Sequence, residues 1–350
     1  MSNVSASNGS REPRAKRVTI VDVARHAGVS TAAASKVLRN AYGVSDAMRE
    51  RVTRAMKELE YRPHRPARGM RGSTYSIGMV VSDLDNPFVN LLADGAKKAL
   101  SEHGYELLIA PGGYDARGQL EAMDALIDHQ MDGLLLVAPM TTASELDRVA
   151  RSIPVSVIGL HGTSDAWDSV ASDDALAARL VVDHLAGLGH RRIGFVANPT
   201  SPDDATRPEN VRLRGFLDAM QDHGLHDEAV VLPFPWSMDG GVAAARAVAE
   251  MTRPPTAIHA GADVVAFGIL SAWWQLGLRV PEDFSLAGHD NSRTSGIGPI
   301  SLTTVDQAGL EMGARAASLL LARIAASGVA VHDILQPSLV ERSTTGEPRG

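Results

Sequence analysis

The 350-residue sequence predicts an α/β protein in which a three-helix head precedes a larger core built from two lobes of parallel β-sheet. The first observation is the stretch VTIVDVARHAGVSTAAASKVLRN at 18–40, which is typical of two short amphipathic helices joined by a glycine turn. The second is an alternation of apolar strand segments and amphipathic helices from Ile77 onward, which is typical of βαβ units. The third is the length, which exceeds that of a single hydrophobic core.

The overall composition is that of a globular protein, with 44% hydrophobic and 21% charged residues. No apolar run approaches the roughly 18 residues that cross a bilayer, and the N-terminus lacks the apolar segment of an export signal. The sequence contains no cysteine, which excludes disulfides and thiolate metal sites. We therefore expect a cytoplasmic protein that does not contact a membrane.

The charge is divided unequally along the chain. Residues 1–72 carry 15 Lys and Arg against 6 Asp and Glu, a net charge of +9. The remaining 278 residues carry 19 basic and 35 acidic side chains, a net charge of -16. This separation predicts that the head alone binds a polyanion, because phosphate would repel the acidic body.

Capping signals define the helices of the head. Thr19 and Asp22 are typical of a capping box that begins a first helix, and Gly28 ends it. Ser30 is predicted to cap a second helix and Ser45 a third. The second helix has an apolar face formed by Ala34, Val37 and Leu38, and the third repeats apolar Val52, Ala55, Met56 and Leu59. This pattern predicts a helix-turn-helix whose second helix enters the major groove of double-stranded DNA.

The stretch at 18–40, followed by VSDAMRERVTRAMKELEYRPHRPARGM, resembles the DNA-binding segment of the LacI/GalR (lactose-repressor/galactose-repressor) family of bacterial transcription regulators. The resemblance implies a helix-turn-helix domain at 18–62, preceded by a basic flexible tail at 1–17. It implies that Lys36 donates to guanine and that Ala32 meets a thymine methyl group, with Thr31 beside them. The DNA-binding residues that it implies in the head are Thr19, Ser30, Thr31, Ala32, Ser35, Lys36, Arg39 and Asn40.

The segment after the head has two interpretations. Its prolines and arginines alone favour a solvated linker at 63–74. The resemblance instead implies a hinge helix that enters the minor groove, with Arg65, Ala67 and Met70 on the DNA. Met70 would then insert as an apolar wedge between two base steps.

The core lacks the usual sequence marks of catalysis. Its strand segments are IGMVV, ELLIA, GLLLVA, VSVIG, RIGFVA, AVVLPF, TAIHA and FSLAG. The sequence has no G-x-G-x-x-G after the first of these strands, no G-x-x-x-x-G-K-[ST], no G-x-S-x-G and no H-E-x-x-H, and its 12 histidines are scattered. We therefore predict no catalytic function, no cofactor and no metal site. The βαβ pattern by itself is also compatible with dehydrogenases, flavodoxin-like enzymes and hinged binding proteins.

The core at 75–345 resembles the effector-binding core of the same family, which is similar to periplasmic sugar-binding proteins. The motifs that carry this resemblance are DNPF at 85–88, MDGLLLV at 131–137, SVASDD at 169–174, GHRRIGFV at 189–196, RLRGF at 212–216, VPEDFSLAGHDN at 280–291 and LTTVDQ at 302–307. The resemblance implies a first lobe at about 75–173 and 306–327 and a second lobe at about 174–302 and 328–345. A small molecule would bind in the cleft between them.

The resemblance also implies a set of effector-binding residues, namely Phe88, Asp85, Asp173, Arg212, Trp236 and Asp290. Arg212 would hold hydroxyls or a carboxylate with its planar fork. Ala262 stands where many relatives have asparagine, so the cleft has one amide fewer. A sugar-like effector is implied, and a smaller, acidic or nucleoside-like ligand is the alternative.

Together these features predict a cytoplasmic, nucleoid-associated repressor that binds a palindromic operator as a homodimer, because one head offers too few base contacts. One alternative is a solute-binding protein of the same core fold without a DNA function, which the basic head opposes. Another is a corepressor-type regulator that responds to a nucleoside-like ligand. Of the adjacent Trp273 and Trp274, we expect one to pack inside and the other to be exposed.

Overall fold

The computed structural model describes residues 18–38, 42–61, 73–199, 204–326 and 328–349. The chain divides into two compact units, with the boundary between Thr74 and Tyr75. The predicted α/β class is confirmed, because the first unit is helical and the second contains two sheets of mainly parallel strands. None of the helices in these described ranges is long and apolar enough to cross a membrane.

The head consists of three helices around a small apolar core. They are α1 (Ile20–His26), α2 (Thr31–Leu38) and α3 (Asp46–Glu58). Thr19 and Asp22 form the predicted capping box of α1, and the Ser45 side chain caps α3. The buried side chains of this core are Val23, Ala24, Ala27, Ala34, Val37, Val52 and Ala55.

The first sheet of the core has the strand order β11-β5-β4-β3-β1-β2, and all its neighbouring strands are parallel. Its strands are β1 (Ser76–Val81), β2 (Glu106–Pro111), β3 (Gly133–Val137), β4 (Val155–Ile158), β5 (Asp168–Ser172) and β11 (His332–Leu335). The helices of this lobe are α4 (Phe88–Ser101), α5 (Ala116–Asp128), α6 (Ala143–Ala150) and α11 (Gly309–Ala325). Apolar side chains of α4 and α11 pack on one face of the sheet, and those of α5 and α6 pack on the other.

The second sheet has the order β12-β10-β9-β8-β6-β7, in which only the pairing of β12 with β10 is antiparallel. Its strands are β6 (Ile193–Ala197), β7 (Ala229–Pro233), β8 (Ala257–His259), β9 (Ser285–His289), β10 (Thr303–Asp306) and β12 (Ser338–Val340). Its helices are α7 (Asp174–Gly187), α8 (Pro208–Asp222), α9 (Met238–Ala249) and α10 (Asp263–Gln275). Helices α7 and α8 pack on one face, and α9 and α10 pack on the other.

The last part of the chain corrects the predicted lobe boundaries. Residues 328–345 were assigned to the second lobe, but β11 within this range pairs with β5 of the first sheet. The Asp168 carboxylate fixes this path, because it accepts hydrogen bonds from the Arg323 guanidinium at 2.7 and 3.0 Å and from the Val331 backbone N–H at 2.9 Å. Only β12 within that range belongs to the second sheet.

Candidate functional site

The exposed face of α2 carries the side chains that were predicted to read bases. Thr31, Ala32 and Lys36 are exposed, whereas Ala34 and Val37 are buried in the head core. The buried pair holds the helix against α1 and α3 and leaves the small polar face turned outward. This is the division of faces that the helical period predicts.

The other predicted DNA-binding residues of the head have different local roles. The Ser30 hydroxyl accepts a hydrogen bond from the Ala33 backbone N–H at 3.1 Å, and Thr19 begins α1 through the capping box. Ser35 is half-buried. Arg39, Asn40, Arg65, Ala67 and Met70 lie outside the described residues.

A cavity of about 150 Å³ lies between the two lobes of the core. Of the six predicted effector-binding residues, Phe88, Arg212, Trp236 and Asp290 line it. Phe88 comes from the first lobe, and the other three come from the second. The cavity is therefore enclosed from both sides, as in an interlobe ligand site.

Asp85 and Asp173 do not line the cavity. Asp85 is exposed, and its backbone N–H donates to Asp83 Oδ1 at 2.7 Å. The Asp173 carboxylate caps α7 by accepting from the Leu176 backbone N–H at 3.0 Å. In both motifs the next residue lines the cavity instead: Asn86 in the first and Asp174 in the second.

Arg212 is held by the protein itself. Its Nε donates to Asp174 Oδ1 at 3.0 Å, and a second guanidinium nitrogen contacts the same oxygen. The side chains of Arg212 and Asp174 are 4% and 2% exposed, so this ion pair is buried. Burial raises the pKa of Asp174, but the Arg212 charge and the His161 hydrogen bond together outweigh it and lower that pKa below its usual range. The Arg212 guanidinium group, which was expected to hold a ligand, is thus largely occupied by Asp174.

Trp236 stacks on this arginine. The guanidinium carbon of Arg212 lies 4.7 Å from the centre of the indole ring, a cation–π distance. The indole N–H donates to the Val196 carbonyl at 2.9 Å, which fixes the ring in place. Gly261 passes beneath it with φ +75°, and a Cβ there would lie 2.6 Å from Trp236 Nε1, so only glycine fits this position.

Asp290 forms a second buried polar centre. Its carboxylate accepts from Gln307 Nε2 at 2.6 Å and from the Asp263 backbone N–H at 3.3 Å, and its φ of +128° is unusual for a residue with a side chain. Burial, reinforced by the nearby charge of Asp263, raises the pKa of Asp290 well above its usual range. Burial also raises the pKa of Asp263 to about 6. The buried surroundings therefore disfavour the charged form of the Asp290 carboxyl group relative to water.

Further polar residues that the sequence analysis did not single out line the cavity, among them Asn198, Arg207, Glu209 and Gln307. Gln307 and the missed Asp174 stand inside motifs that were recognised, so a shift of one position within SVASDD would have found Asp174. Arg207 and Glu209 stand before α8 and at its start, where the sequence has no distinguishing pattern. Within the described ranges, no group of three acidic or histidine side chains could hold a metal ion.

Comparison with known proteins gives consistent similarities for both units. Residues 19–64 match the family described as "Bacterial regulatory proteins, lacI family", and residues 182–345 match the "Periplasmic binding protein-like domain". The chain is 31% identical to the HTH-type transcriptional repressor PurR of Edwardsiella ictaluri (strain 93-146) over 336 residues, which is 94% of this chain and 97% of the relative.

Two solved structures are also similar to the chain. One is the Lac repressor dimer bound to operator and the anti-inducer ONPF, with a TM-score of 0.77, 26% identity and coverage of 95% of this chain and 100% of that one. The other is a LacI family transcriptional regulator from Enterococcus faecium with bound ribose, with a TM-score of 0.69, 26% identity and coverage of 78% and 100%.

Proposed function

Because the chain belongs to the LacI family of DNA-binding bacterial transcription regulators, we propose that it represses transcription from a palindromic operator as a homodimer, under the control of a small sugar-like effector in the interlobe cleft. The family predicted from the motifs is thereby confirmed, and its relatives are transcription repressors rather than enzymes. The observation that carries the effector proposal is an interlobe cavity in which both arginines of the wall already face a carboxylate.

Charge balance in the cavity favours an uncharged effector. Arg212 pairs with Asp174, and Arg207 pairs with Glu209 at 3.1 Å. A ligand carboxylate or phosphate would bring an additional negative charge into a cavity whose two guanidinium charges are already balanced. A neutral ligand with several hydroxyl groups can instead exchange hydrogen bonds with the cavity without disturbing either pair.

The size of the cavity favours one ring. A volume of about 150 Å³ is comparable to an engineered protein cavity that accepts benzene. A nucleoside, with a base and a sugar, is larger. The Enterococcus faecium regulator contains bound ribose, which is a ligand of the size and chemistry that we propose.

The DNA proposal predicts that Lys36→Ala weakens operator binding by roughly 1–3 kcal/mol and relaxes the preference at one base pair in each half-site, because it removes a donor to a base edge. An operator selected from random duplexes and its single-base variants would be compared in gel-shift competition at one salt concentration. Lys57→Ala removes an exposed charge from the end of α3 and serves as the matched control. The control should weaken specific and non-specific binding about equally. The same behaviour in the Lys36 variant would exclude Lys36 from base recognition.

The dimer proposal is supported by an apolar groove on the second lobe. Trp273 is buried and Trp274 is 82% exposed, as the sequence predicted. Trp274 borders a groove whose other apolar walls are Phe267, Leu270, Leu278, Val280, Pro299 and Ile300. Exposed apolar surface of this kind marks protein contacts, and a palindromic operator requires two heads. We place a second copy of the chain on this groove.

Trp274→Glu is therefore expected to raise the dimer dissociation constant by roughly 10-fold or more, because a buried interface tryptophan commonly contributes over 2 kcal/mol. Sedimentation of the full chain over a range of concentrations would measure this. Leu276→Glu is the control, because Leu276 is an exposed apolar residue that does not line the groove. An equal rise of the dissociation constant in Trp274→Glu and Leu276→Glu, or no rise in either variant, would contradict the assignment of this groove to the dimer contact.

A further inference from the structure

Arg207 and Glu209 form an incomplete ion pair in the cavity wall. Arg207 precedes α8, and Glu209 lies in its first turn. A single hydrogen bond joins them, from an Arg207 terminal nitrogen to Glu209 Oε1 at 3.1 Å. The same oxygen also accepts from Asn198 Nδ2 at 3.3 Å. An arginine and a carboxylate usually form two parallel bonds, so half of the usual contact is missing.

The missing half leaves two buried polar atoms without partners. Among the described residues, neither Arg207 Nε nor Glu209 Oε2 has a hydrogen-bond partner. Both side chains are more than nine-tenths buried, and both residues line the cavity. A buried polar atom without a hydrogen bond is costly, so we expect a bound molecule to supply a donor for Glu209 Oε2 and an acceptor for Arg207 Nε.

The two atoms require opposite hydrogen-bonding groups from the bound molecule. Glu209 Oε2 needs a hydrogen-bond donor, and Arg207 Nε needs an acceptor. A hydroxyl group is both, whereas an ammonium group only donates and a carboxylate only accepts. Building on the cleft function proposed above, we propose that one hydroxyl of the effector lies between Arg207 and Glu209 and selects effectors that carry a hydroxyl at that ring position.

Arg207 also contacts the first lobe, so the test varies Glu209 and not Arg207. Its second terminal nitrogen donates to the Pro139 carbonyl of the first lobe at 3.1 Å, and Met140 contacts the same guanidinium. A change at Arg207 would disturb lobe contact as well as ligand contact. Glu209 makes no described side-chain bond to the first lobe, so Glu209→Gln and Glu209→Ala are the informative variants.

The test measures effector binding to the full chain with uncharged sugars. Aldopentoses and aldohexoses are screened by thermal shift, and the monodeoxy derivatives of the best binder are then titrated by calorimetry. For the wild type, the loss of one particular hydroxyl should reduce affinity roughly 10-fold or more, because hydrogen bonds to charged groups are strong. Glu209→Ala should reduce affinity for the parent sugar by a similar factor. It should discriminate much less between the parent and that deoxy derivative, since only the Arg207 partner of the hydroxyl remains. Glu209→Gln should retain the fold and part of the discrimination.

Controls separate this inference from the proposed function. Glu311→Gln changes an exposed carboxylate at the start of α11 and should leave every affinity unchanged. The thermal unfolding midpoint without sugar shows whether each variant is folded. If a sugar binds the wild type but Glu209→Ala and Glu209→Gln keep its full hydroxyl preference, this inference is wrong and the cleft function stands. If no uncharged sugar stabilises the wild type, the effector class is wrong and the inference fails with it.

Discussion

Replacement of Arg212 by alanine is expected to lower the free energy of unfolding of the core by about 3–5 kcal/mol and to abolish the effector response. The substitution leaves the Asp174 carboxylate buried without its guanidinium partner, and an uncompensated buried charge is strongly destabilising. Denaturant unfolding of the full chain, followed by tryptophan fluorescence, would measure the loss, because all four tryptophans lie in the core. Unchanged unfolding energy would contradict the buried ion pair.

A double variant separates stability from response. Arg212→Met combined with Asp174→Leu removes both buried charges and should recover most of the lost stability, because apolar residues of similar volume often replace such pairs without cost. His161, whose ring nitrogen lies 2.7 Å from Asp174, is 16% exposed and can turn to water. The double variant should still fail to respond to effector. If effector releases the operator, this variant represses permanently; if effector promotes binding, it never represses fully. A normal effector midpoint would place the site elsewhere.

Sequence patterns predicted the strands that form continuous apolar runs. The eight predicted strand segments correspond to β1–β4 and β6–β9. Six of these strands are almost entirely buried, whereas the edge strands β2 and β7 are largely half-buried or exposed. The strands β5 and β10 contain Ser169, Thr303 and other polar residues that bond to neighbouring groups. β11 and β12 are short and only partly buried. Such strands are defined by pairing with distant segments, which local periodicity does not report.

Sequence motifs led to residues of the candidate site, but they did not predict the contacts between its side chains. RLRGF and VPEDFSLAGHDN led to cavity residues, because Arg212 lies near the start of α8 and Asp290 directly follows β9. Asp85 and Asp173 were chosen from equally suitable motifs, yet local backbone bonds turn them away. The pairing of Arg212 with Asp174 joins residues 38 positions apart, and the unpartnered atoms of Arg207 and Glu209 depend on the angle between two side chains. Neither feature has a sequence signature.

Two buried imidazoles beneath the cleft make the core sensitive to acid. His259 of β8 and His289 of β9 are stacked with their ring centres 5.7 Å apart. Neither ring nitrogen of His259 has a hydrogen-bond partner in the described part of the chain. Burial, with a smaller effect from the Arg212 charge, lowers the pKa of His259 from 6.5 to about 3. Burial and the charges of Arg212 and His259 lower the pKa of His289 as well.

The depressed pKa means that His259 stabilises the fold above pH 6.5 and that this stability is lost as the pH falls toward about 3. Between these two pH values the unfolded chain binds a proton at His259 and the folded chain does not. The free energy of unfolding therefore falls by about 1.4 kcal/mol for each unit by which the pH is lowered. Asp263 acts in the opposite direction, because its pKa is raised to about 6 and its protonation favours the folded state between about pH 6 and 3.8. The pH dependence of the wild type is therefore the sum of opposing effects, to which the shifted pKa values of His289 and Asp290 also contribute, and a variant is needed to isolate His259.

His259→Phe is expected to lower the slope of unfolding free energy against pH by about 1.4 kcal/mol per pH unit between pH 6 and pH 4, because it removes one of the buried bases. Phenylalanine suits the position, since His259 packs edge-on against Phe195 with 5.0 Å between ring centres. Denaturant unfolding at closely spaced pH values would give both slopes, and His129→Gln, at an exposed position, should keep the wild-type slope. Parallel slopes for the wild type and His259→Phe would mean that His259 takes up its proton in the folded core. The protonated His259 ring would then have to gain contact with water, either by entry of water into the core or by movement of the lobe.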